Sequence, residues 1–123
     1  MEGHSGVKNA VSNLLRLPSL KPPFYRDKNL FVSLRDRLVI LDSQILTLTC
    51  MEYRVLALLV EHAGEIVPRP TLALWVWGRV LGPRSNMLDK HIRGLRRKFG
   101  VYADQYIETV IGVGYRFRLA TRA

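Results

Sequence analysis

One stretch, SNMLDKHIRGLRRKF at positions 85–99, constrains the fold of this chain more than any other. Four large apolar side chains recur in it at steps of four, three and four: Leu88, Ile92, Leu95 and Phe99. Four polar or basic side chains recur at a similar spacing: Asn86, Lys90, Arg93 and Arg97. Each helical residue advances about 100°, so the apolar set falls within roughly 40° of Leu88 and the other set between roughly 140° and 200° from it. The spacing predicts an α-helix that packs on a core along one edge and carries a basic stripe along the opposite edge.

The charge of the chain is strongly positive and unevenly distributed. The 123 residues include 19 Lys and Arg against 10 Asp and Glu, which gives a net charge of +9. Residues 1–48 carry a net charge of +3, residues 49–83 are neutral, and residues 84–123 carry +6. The excess lies around the predicted helix, which indicates a polyanionic partner, either nucleic acid or an anionic membrane surface.

The basic stripe has two interpretations, because many amphipathic helices present a charged outer face only to water. No acidic residue interrupts this face, since Asp89 lies to one side of it, whereas solvated surfaces tend to mix both signs. The major groove of duplex DNA is about 12 Å wide and admits one α-helix between its phosphates. We therefore expect the stripe to enter that groove.

Length and residue usage exclude several classes of protein. The chain is long enough for one domain with one modest core. Its single cysteine, Cys50, excludes an intramolecular disulfide and fits a reducing cytoplasm. The longest apolar run, residues 55–60, is far shorter than the roughly 18–20 residues of a membrane span. The histidines lack metal-ligand spacing and no nucleophile–base set is present, so we expect no metal, no cofactor and no catalysis.

The N-terminal part of the chain predicts a linker followed by strands. Residues 1–24 are interpreted as an expression-tag remnant followed by a linker. From residue 29 to 49, short β-rich runs are separated by turns at 35–37 and 42–43. This pattern predicts an antiparallel meander.

The remainder predicts helices and then a hairpin. Thr49 and Glu52 match a capping box that begins a first, deeply buried helix, and Gly64 ends it. A short strand and a second helix over 69–77 follow, and after the third helix a loop leads to two β-rich runs within 106–119. The fold class is therefore α+β.

Five short motifs, in this order and at compatible spacings, resemble one known family. They are Leu48-Thr49-x-x-Glu52, Arg69-x-x-Leu72, Val76-Trp77-Gly78, Leu88-Asp89-x-His91-Ile92-x-x-Leu95-Arg96-x-Lys98 and Thr109-Val110-x-Gly112-x-Gly114-Tyr115. The match covers about residues 25–120. It resembles the OmpR/PhoB-type winged-helix domain, the DNA-binding output module of bacterial two-component response regulators.

The resemblance implies a winged helix-turn-helix domain over residues 25–121, with an N-terminal antiparallel sheet of four strands, three helices and a C-terminal hairpin, the wing. Helix 85–99 would lie in the major groove and the wing, 106–119, at the adjacent minor groove. The loop before the third helix would contact RNA polymerase through Arg79, Val80 and Leu81. Homodimers, on DNA or in a full-length protein, are the expected form. The resemblance also implies that residues 1–24 include the end of the last helix of a removed receiver domain; a stand-alone regulator and a fusion to another sensor are the alternatives.

The expected DNA contacts come from the stripe and from the resemblance. The stripe contributes Asn86, Lys90, Arg93 and Arg97. Carried over by position, the resemblance supports Arg93 and adds His91, Arg96, Thr109 and Tyr115. Arg116 and Arg118 on the wing are expected to add charge, and Arg116 is included among the DNA contacts.

Four positions depart from the pattern that the resemblance implies. Asn86 and Gly94 stand where many members of that family have arginine, and Ile111 stands where the wing often has a minor-groove arginine. Pro68 replaces the serine that usually caps the second helix. Gly94 is also expected to weaken the third helix by roughly 1 kcal/mol relative to alanine.

Several side chains keep two interpretations. Asn86 either caps the helix or pairs with adenine, while Arg96 and His91 contact either DNA or this protein itself. Trp75 and Trp77 are expected in the core rather than as a stacking platform, and Cys50 is expected to be buried and inert.

The function predicted from the sequence is sequence-specific binding of duplex DNA, as the output domain of a bacterial transcriptional response regulator in the cytoplasm. The alternative is a winged-helix module that binds protein without binding DNA. A surface that binds RNA or anionic membranes is a third interpretation. The first predicts strong salt dependence of binding and the second predicts little.

Overall fold

The computed structural model describes residues 24–79, 81–82 and 85–119. Its strands in chain order are β1 (Phe24–Arg26), β2 (Leu30–Ser33), β3 (Leu38–Leu41), β4 (Gln44–Ile45), β5 (Ile66–Pro68), β6 (Ile107–Val110) and β7 (Gly114–Phe117). Its helices are α1 (Cys50–Glu61), α2 (Arg69–Trp77), α3 (Met87–Phe99) and the short α4 (Ala103–Tyr106), which follows a 3-10 turn at Gly100–Tyr102. The predicted α+β fold, with an N-terminal sheet, three main helices and a C-terminal hairpin, is confirmed.

The N-terminal sheet is antiparallel, with the strand order β1-β2-β3-β4. Its tight turns need left-handed backbone at three residues other than glycine: Arg37, Asp42 and Ser43, with φ of 53°, 54° and 67°. They lie in the two turns that the sequence predicts. Strand β1 begins at Phe24, which the sequence analysis assigned to the linker. Three residues are too few to show alternation, so local pattern did not reveal this strand. The rest of the predicted linker, residues 1–23, lies outside the described residues.

Helix α1 begins as its capping box predicts. The Oγ1 atom of Thr49 accepts a hydrogen bond from the backbone N–H of Glu52 at 3.1 Å, and Oε1 of Glu52 accepts one from the N–H of Thr49 at 2.9 Å. The helix ends at Glu61, three residues before Gly64, which adopts a φ of 88° in the turn that follows. Both ends of α1 are therefore determined by local sequence.

Helix α2 begins at Arg69 after Pro68, which offers no side-chain cap, and ends before Gly78 at a φ of 75°. Strand β5 pairs with β7, so the C-terminal hairpin forms a three-stranded sheet of order β5-β7-β6. The segment from Gly100 to Tyr106 is helical, where the sequence analysis expected a loop. It is too short for helical periodicity to be recognised.

The core confirms the predicted apolar edge of α3. Leu88, Ile92, Leu95 and Phe99 are all at most 3% exposed. They pack in one cluster with apolar side chains of α1, of α2 and of both sheets. Because this edge is completely covered, the opposite edge of α3 has to face outward.

Two predictions about single residues are wrong. The side chain of Trp75 is 41% exposed and stacks on His62, with ring centroids 4.5 Å apart, while Trp77 packs against the core. Cys50 is exposed rather than buried, with its Sγ 3.8 Å from a guanidinium nitrogen of Arg37. Both residues lie in the predicted helices, but their side chains are on exposed sides of those helices. No helix in the described part of the chain is long and apolar enough to cross a membrane.

Candidate nucleic-acid interface

The outer edge of α3 carries an unpaired basic stripe. Its members are exposed: Asn86, Lys90, Arg93 and Arg97. Within residues 24–79, 81–82 and 85–119, the side chains of this stripe form no hydrogen bond and no ion pair. Asn86 stands just before the first residue of α3 but its amide does not cap the helix. The stripe therefore presents one amide and three cations to a ligand.

The start of α3 is fixed by a three-way contact around Asp89. The guanidinium of Arg69, the first residue of α2, donates to both carboxylate oxygens at 2.5 and 3.3 Å. The hydroxyl of Tyr115, on β7, donates to the same carboxylate. This cluster joins α2, α3 and the hairpin, so it sets the position of the stripe relative to the wing.

The end of α3 is fixed by a contact with α1. Lys98 donates from Nζ to Oε1 of Glu52 at 2.6 Å, and Glu52, which also caps α1, is only 6% exposed. A Cβ atom at Gly94 would collide with Oε2 of Glu52. Gly94 is thus the place where α1 and α3 approach closely, which accounts for its departure from the arginine that the resemblance implies. The low helix propensity of glycine at this position accompanies the close packing of the two helices.

Three residues predicted to contact DNA have partners within this protein. Arg96 donates to the carbonyl of Ile107 and to Asp104, and the hydroxyl of Tyr115 donates to Asp89. The guanidinium of Arg116 lies on the other face of the hairpin and pairs with Glu108 at 2.8 Å. Arg96 lies on the flank of α3, which brings it to α4 and β6 rather than to the stripe. These contacts hold α3 and the hairpin in place, and the assignment of the three residues as DNA contacts stays a prediction.

The remaining predicted residues lie near the stripe or beside it. Thr109 is exposed and pairs in register with Tyr115 on the hairpin face that leads to α3. His91 is half-buried, with its ring centroid 5.8 Å from that of Trp77. In the loop predicted to contact polymerase, Arg79 is exposed and Leu81 is half-buried, while Val80 lies outside the described residues.

Sequence reasoning missed the residues that position the interface. Arg69 and Lys98 were noted only as motif members, and Glu52 only as a member of the capping box. Their partners are 20 and 46 positions away along the chain. Local periodicity carries no signal for such pairs, although Asp89, the one acid in the otherwise apolar and basic sequence of α3, was a clue that it faces a cation.

Asp89 makes the stability of the domain depend on pH. Burial opposes its ionisation, but the guanidinium of Arg69 and the hydroxyl of Tyr115 outweigh burial and hold the pKa of this carboxyl below its usual range, with Arg93 adding to the same effect. For the hydroxyl of Tyr115, burial and the hydrogen bond to Asp89 raise the pKa to about 12.

We expect Asp89→Asn to lower the free energy of unfolding at pH 7 by about 1–2 kcal/mol, because a hydrogen-bonded and partly screened ion pair is lost. A carboxyl with a depressed pKa stabilises the fold above its unfolded pKa near 4, and this stability is lost as pH falls through the folded pKa. Urea unfolding of both proteins between pH 7 and 3 measures the difference, which should shrink below about pH 4. A difference that stays constant over this range would contradict the assigned role of Asp89.

The sequence matches the family described as "Transcriptional regulatory protein, C terminal" over residues 43–117, more than half of the chain. The transcriptional activator protein IrlR of Burkholderia pseudomallei is 36% identical over 110 residues, which cover 89% of this chain and 48% of that protein. The response regulator ArlR of Staphylococcus saprophyticus is 42% identical over 81 residues, which cover 65% of this chain and 37% of that protein. The chain therefore spans less than half the length of these relatives.

Solved structures give the same relationship at the level of the fold. The DNA-binding domain of CpxR from Escherichia coli has a TM-score of 0.71 and 32% identity, covering 80% of this chain and 99% of that one. The DNA-binding domain of RstA from Klebsiella pneumoniae, solved in complex with the RstA box, has a TM-score of 0.70 and 26% identity. The match covers 77% of this chain and 96% of the RstA chain.

Proposed function

Because this chain belongs to the family of C-terminal domains of transcriptional regulatory proteins, of the OmpR/PhoB type, we propose that it binds duplex DNA in a sequence-specific manner. Helix α3 lies in the major groove and the β6–β7 hairpin reaches the adjacent minor groove. The cations of the stripe pair with phosphates, which supplies most of the affinity. Asn86 pairs with the N6 and N7 atoms of one adenine, which contributes selectivity.

The observation that carries this proposal is the basic stripe without internal partners. Lys98, Arg96 and Arg116 are all paired with acids of this protein, whereas Lys90, Arg93 and Arg97 are not. If the stripe served only solubility, its cations would have no reason to remain unpaired while the other cations of α3 and the hairpin pair with acids. A helix anchored along its whole apolar edge also loses little entropy when it docks in a groove.

We further propose that the domain, residues 25–121, is the output part of a longer response regulator in the bacterial cytoplasm. The relatives that it matches are about twice as long, and two of them are named as a response regulator and a transcriptional activator. Two copies bound to half-sites one helical turn apart, as a homodimer, would bind more tightly than one. The exposed Arg79 and the neighbouring loop form the surface proposed for RNA polymerase.

The test is selection of binding sequences from a pool of random duplexes with this chain. We expect an enriched motif that is bound in competition with unrelated DNA. The affinity for that duplex, measured by fluorescence anisotropy between 50 and 200 mM salt, should give a slope of log K against log salt of about −3, because about three phosphates are neutralised at roughly −0.9 each.

The alternative is a winged-helix module that binds protein only. It predicts no enriched motif and a slope near zero. Similar salt-dependent binding to unrelated duplexes, to single-stranded RNA and to anionic vesicles would instead indicate a nonspecific surface for polyanions. Either result would reject the proposed function.

A further inference from the structure

The tip of the hairpin is apolar and exposed. The turn that joins β6 to β7 consists of Ile111, Gly112 and Val113, without a charged side chain. Ile111 is 89% exposed and Val113 is 44% exposed. The cation next along β7, Arg116, faces away from α3 and pairs with Glu108. The tip therefore offers aliphatic surface where a positive charge would otherwise be expected from a basic domain.

The tip is also rigidly mounted on the rest of the domain. The N–H of Val113 donates to the carbonyl of Val110 at 2.9 Å, which closes the turn, and Gly112 supplies the positive φ of 79° that such a turn needs. The N–H of Arg69 donates to the carbonyl of Val113 at 3.0 Å, which ties the tip to the start of α2. An exposed aliphatic pair on a fixed support is suited to contact a ligand at a defined place.

The support of the tip is the same cluster that positions α3. The backbone N–H of Arg69 bonds the tip, and the side chain of Arg69 bonds Asp89. The hydroxyl of Tyr115 links Asp89 to β7. The tip and the basic stripe consequently keep a fixed relative position. Along one face of a duplex the two grooves alternate about every half turn, roughly 17 Å. A duplex held by α3 thus brings a minor groove toward this hairpin.

We propose that Ile111 and Val113 make an apolar contact with the deoxyribose walls of the minor groove and supply no charge to it. This inference rests on the proposed function and specifies how one part of that site works. Apolar side chains are established minor-groove contacts in other proteins. A narrow A-tract groove attracts arginine and lysine through its enhanced negative potential, and a hairpin tip without a cation cannot use that attraction. The chain should therefore bind its motif almost equally well with either type of flank.

The test uses the duplex enriched by selection, in two versions. One version carries an A-tract at the flank beside the hairpin and the other carries a G·C-rich flank of the same length. The proteins compared are the parent, Ile111→Ala, Ile111→Arg and the matched control Ile45→Arg. Ile45 is also an exposed isoleucine, at 57%, but it lies on β4 of the N-terminal sheet. The control adds the same charge at a distance from the hairpin.

The parent is expected to bind both versions within about twofold. Ile111→Ala should weaken binding to both about fivefold, the loss expected when part of one aliphatic side chain is no longer buried. Ile111→Arg should prefer the A-tract version by about fivefold and steepen the salt slope by about 1, whereas Ile45→Arg should show no flank preference.

Two results would overturn this inference. If Ile111→Ala and Ile111→Arg bind both versions like the parent, the tip does not reach the minor groove. If the parent itself favours the A-tract version more than about fivefold, another cation reads the groove. Failure of the proposed function is a separate outcome, because in that case selection yields no motif with which to build the two duplexes.

Discussion

Replacement of both Arg93 and Arg97 by alanine should lower the affinity for the selected duplex about 100-fold at roughly 0.1 M salt. The two guanidinium groups stand on the outer edge of α3 without partners in the described part of the chain, so their loss removes two contacts to DNA and leaves nothing else unpaired. The salt slope should fall by about 2, from about −3 to about −1. Anisotropy titrations at three or more salt concentrations measure both quantities.

The matched control for this double variant is Lys28→Ala with Arg35→Ala. Both side chains are exposed cations in turns of the N-terminal sheet, so the change in net charge is identical. We expect this control to change affinity less than about threefold, through long-range electrostatics alone. Equal losses in the two double variants would mean that net charge, and not the stripe, binds DNA. Thermal unfolding should be similar for all three proteins, since Arg93 and Arg97 form no hydrogen bond or ion pair in the described part of the chain and Arg93 acts on Asp89 only through its charge.

Gly114→Ala is expected to lower the free energy of unfolding by about 3 kcal/mol, although it adds only one methyl group. A Cβ atom there would collide with the backbone carbonyl of Val67 and lie 2.8 Å from Cα of Pro68 and 2.9 Å from N of Arg69. These are backbone atoms, so no change of rotamer relieves the clash. Pairing of β7 with β5 has to open instead. The melting temperature should fall by at least about 12 °C for a domain of this size.

Gly82→Ala is the control for this effect, because no atom of the described residues lies within 4 Å of the Cβ that it would add. It should unfold within about 0.5 kcal/mol of the parent. If Gly114→Ala is as stable as this control, the approach of β7 to β5 is less close than described. If the Gly114→Ala protein remains folded but binds DNA weakly, the substitution has displaced the wing without unfolding the core. Circular dichroism and anisotropy on the same samples separate these results.

Local pattern was sufficient for the elements whose ends and faces depend on nearby residues. The steps of α3 predicted its buried edge correctly, because an amphipathic helix has only one way to cover four large apolar side chains. The capping box at Thr49 began α1 as expected, and Gly78 ended α2 at the predicted residue. The ordered motifs also identified the family, and the comparisons confirm this.

Local pattern failed where an element was short or where a neighbour decided exposure. Strand β1 and helix α4 have three and four residues, fewer than two full periods of a strand or helix. Trp75 and Cys50 were expected to be buried, but Trp75 is only partly covered, by the His62 ring, and Cys50 is exposed. A sequence shows which face a residue occupies and does not show what packs against that face.

The sequence by itself determined that a helix with one apolar edge and one basic edge would form, because the residues of both edges lie in one local stretch and recur with one helical period. Only the tertiary structure decided which cations remain available to a ligand. Arg96 and Lys98 belong to the same helix as Arg93 and Arg97, yet acids of α4 and α1 neutralise them. It also decided that Gly94 and Gly114 are needed for close packing. These assignments depend on groups that are distant along the chain and meet only when the domain folds.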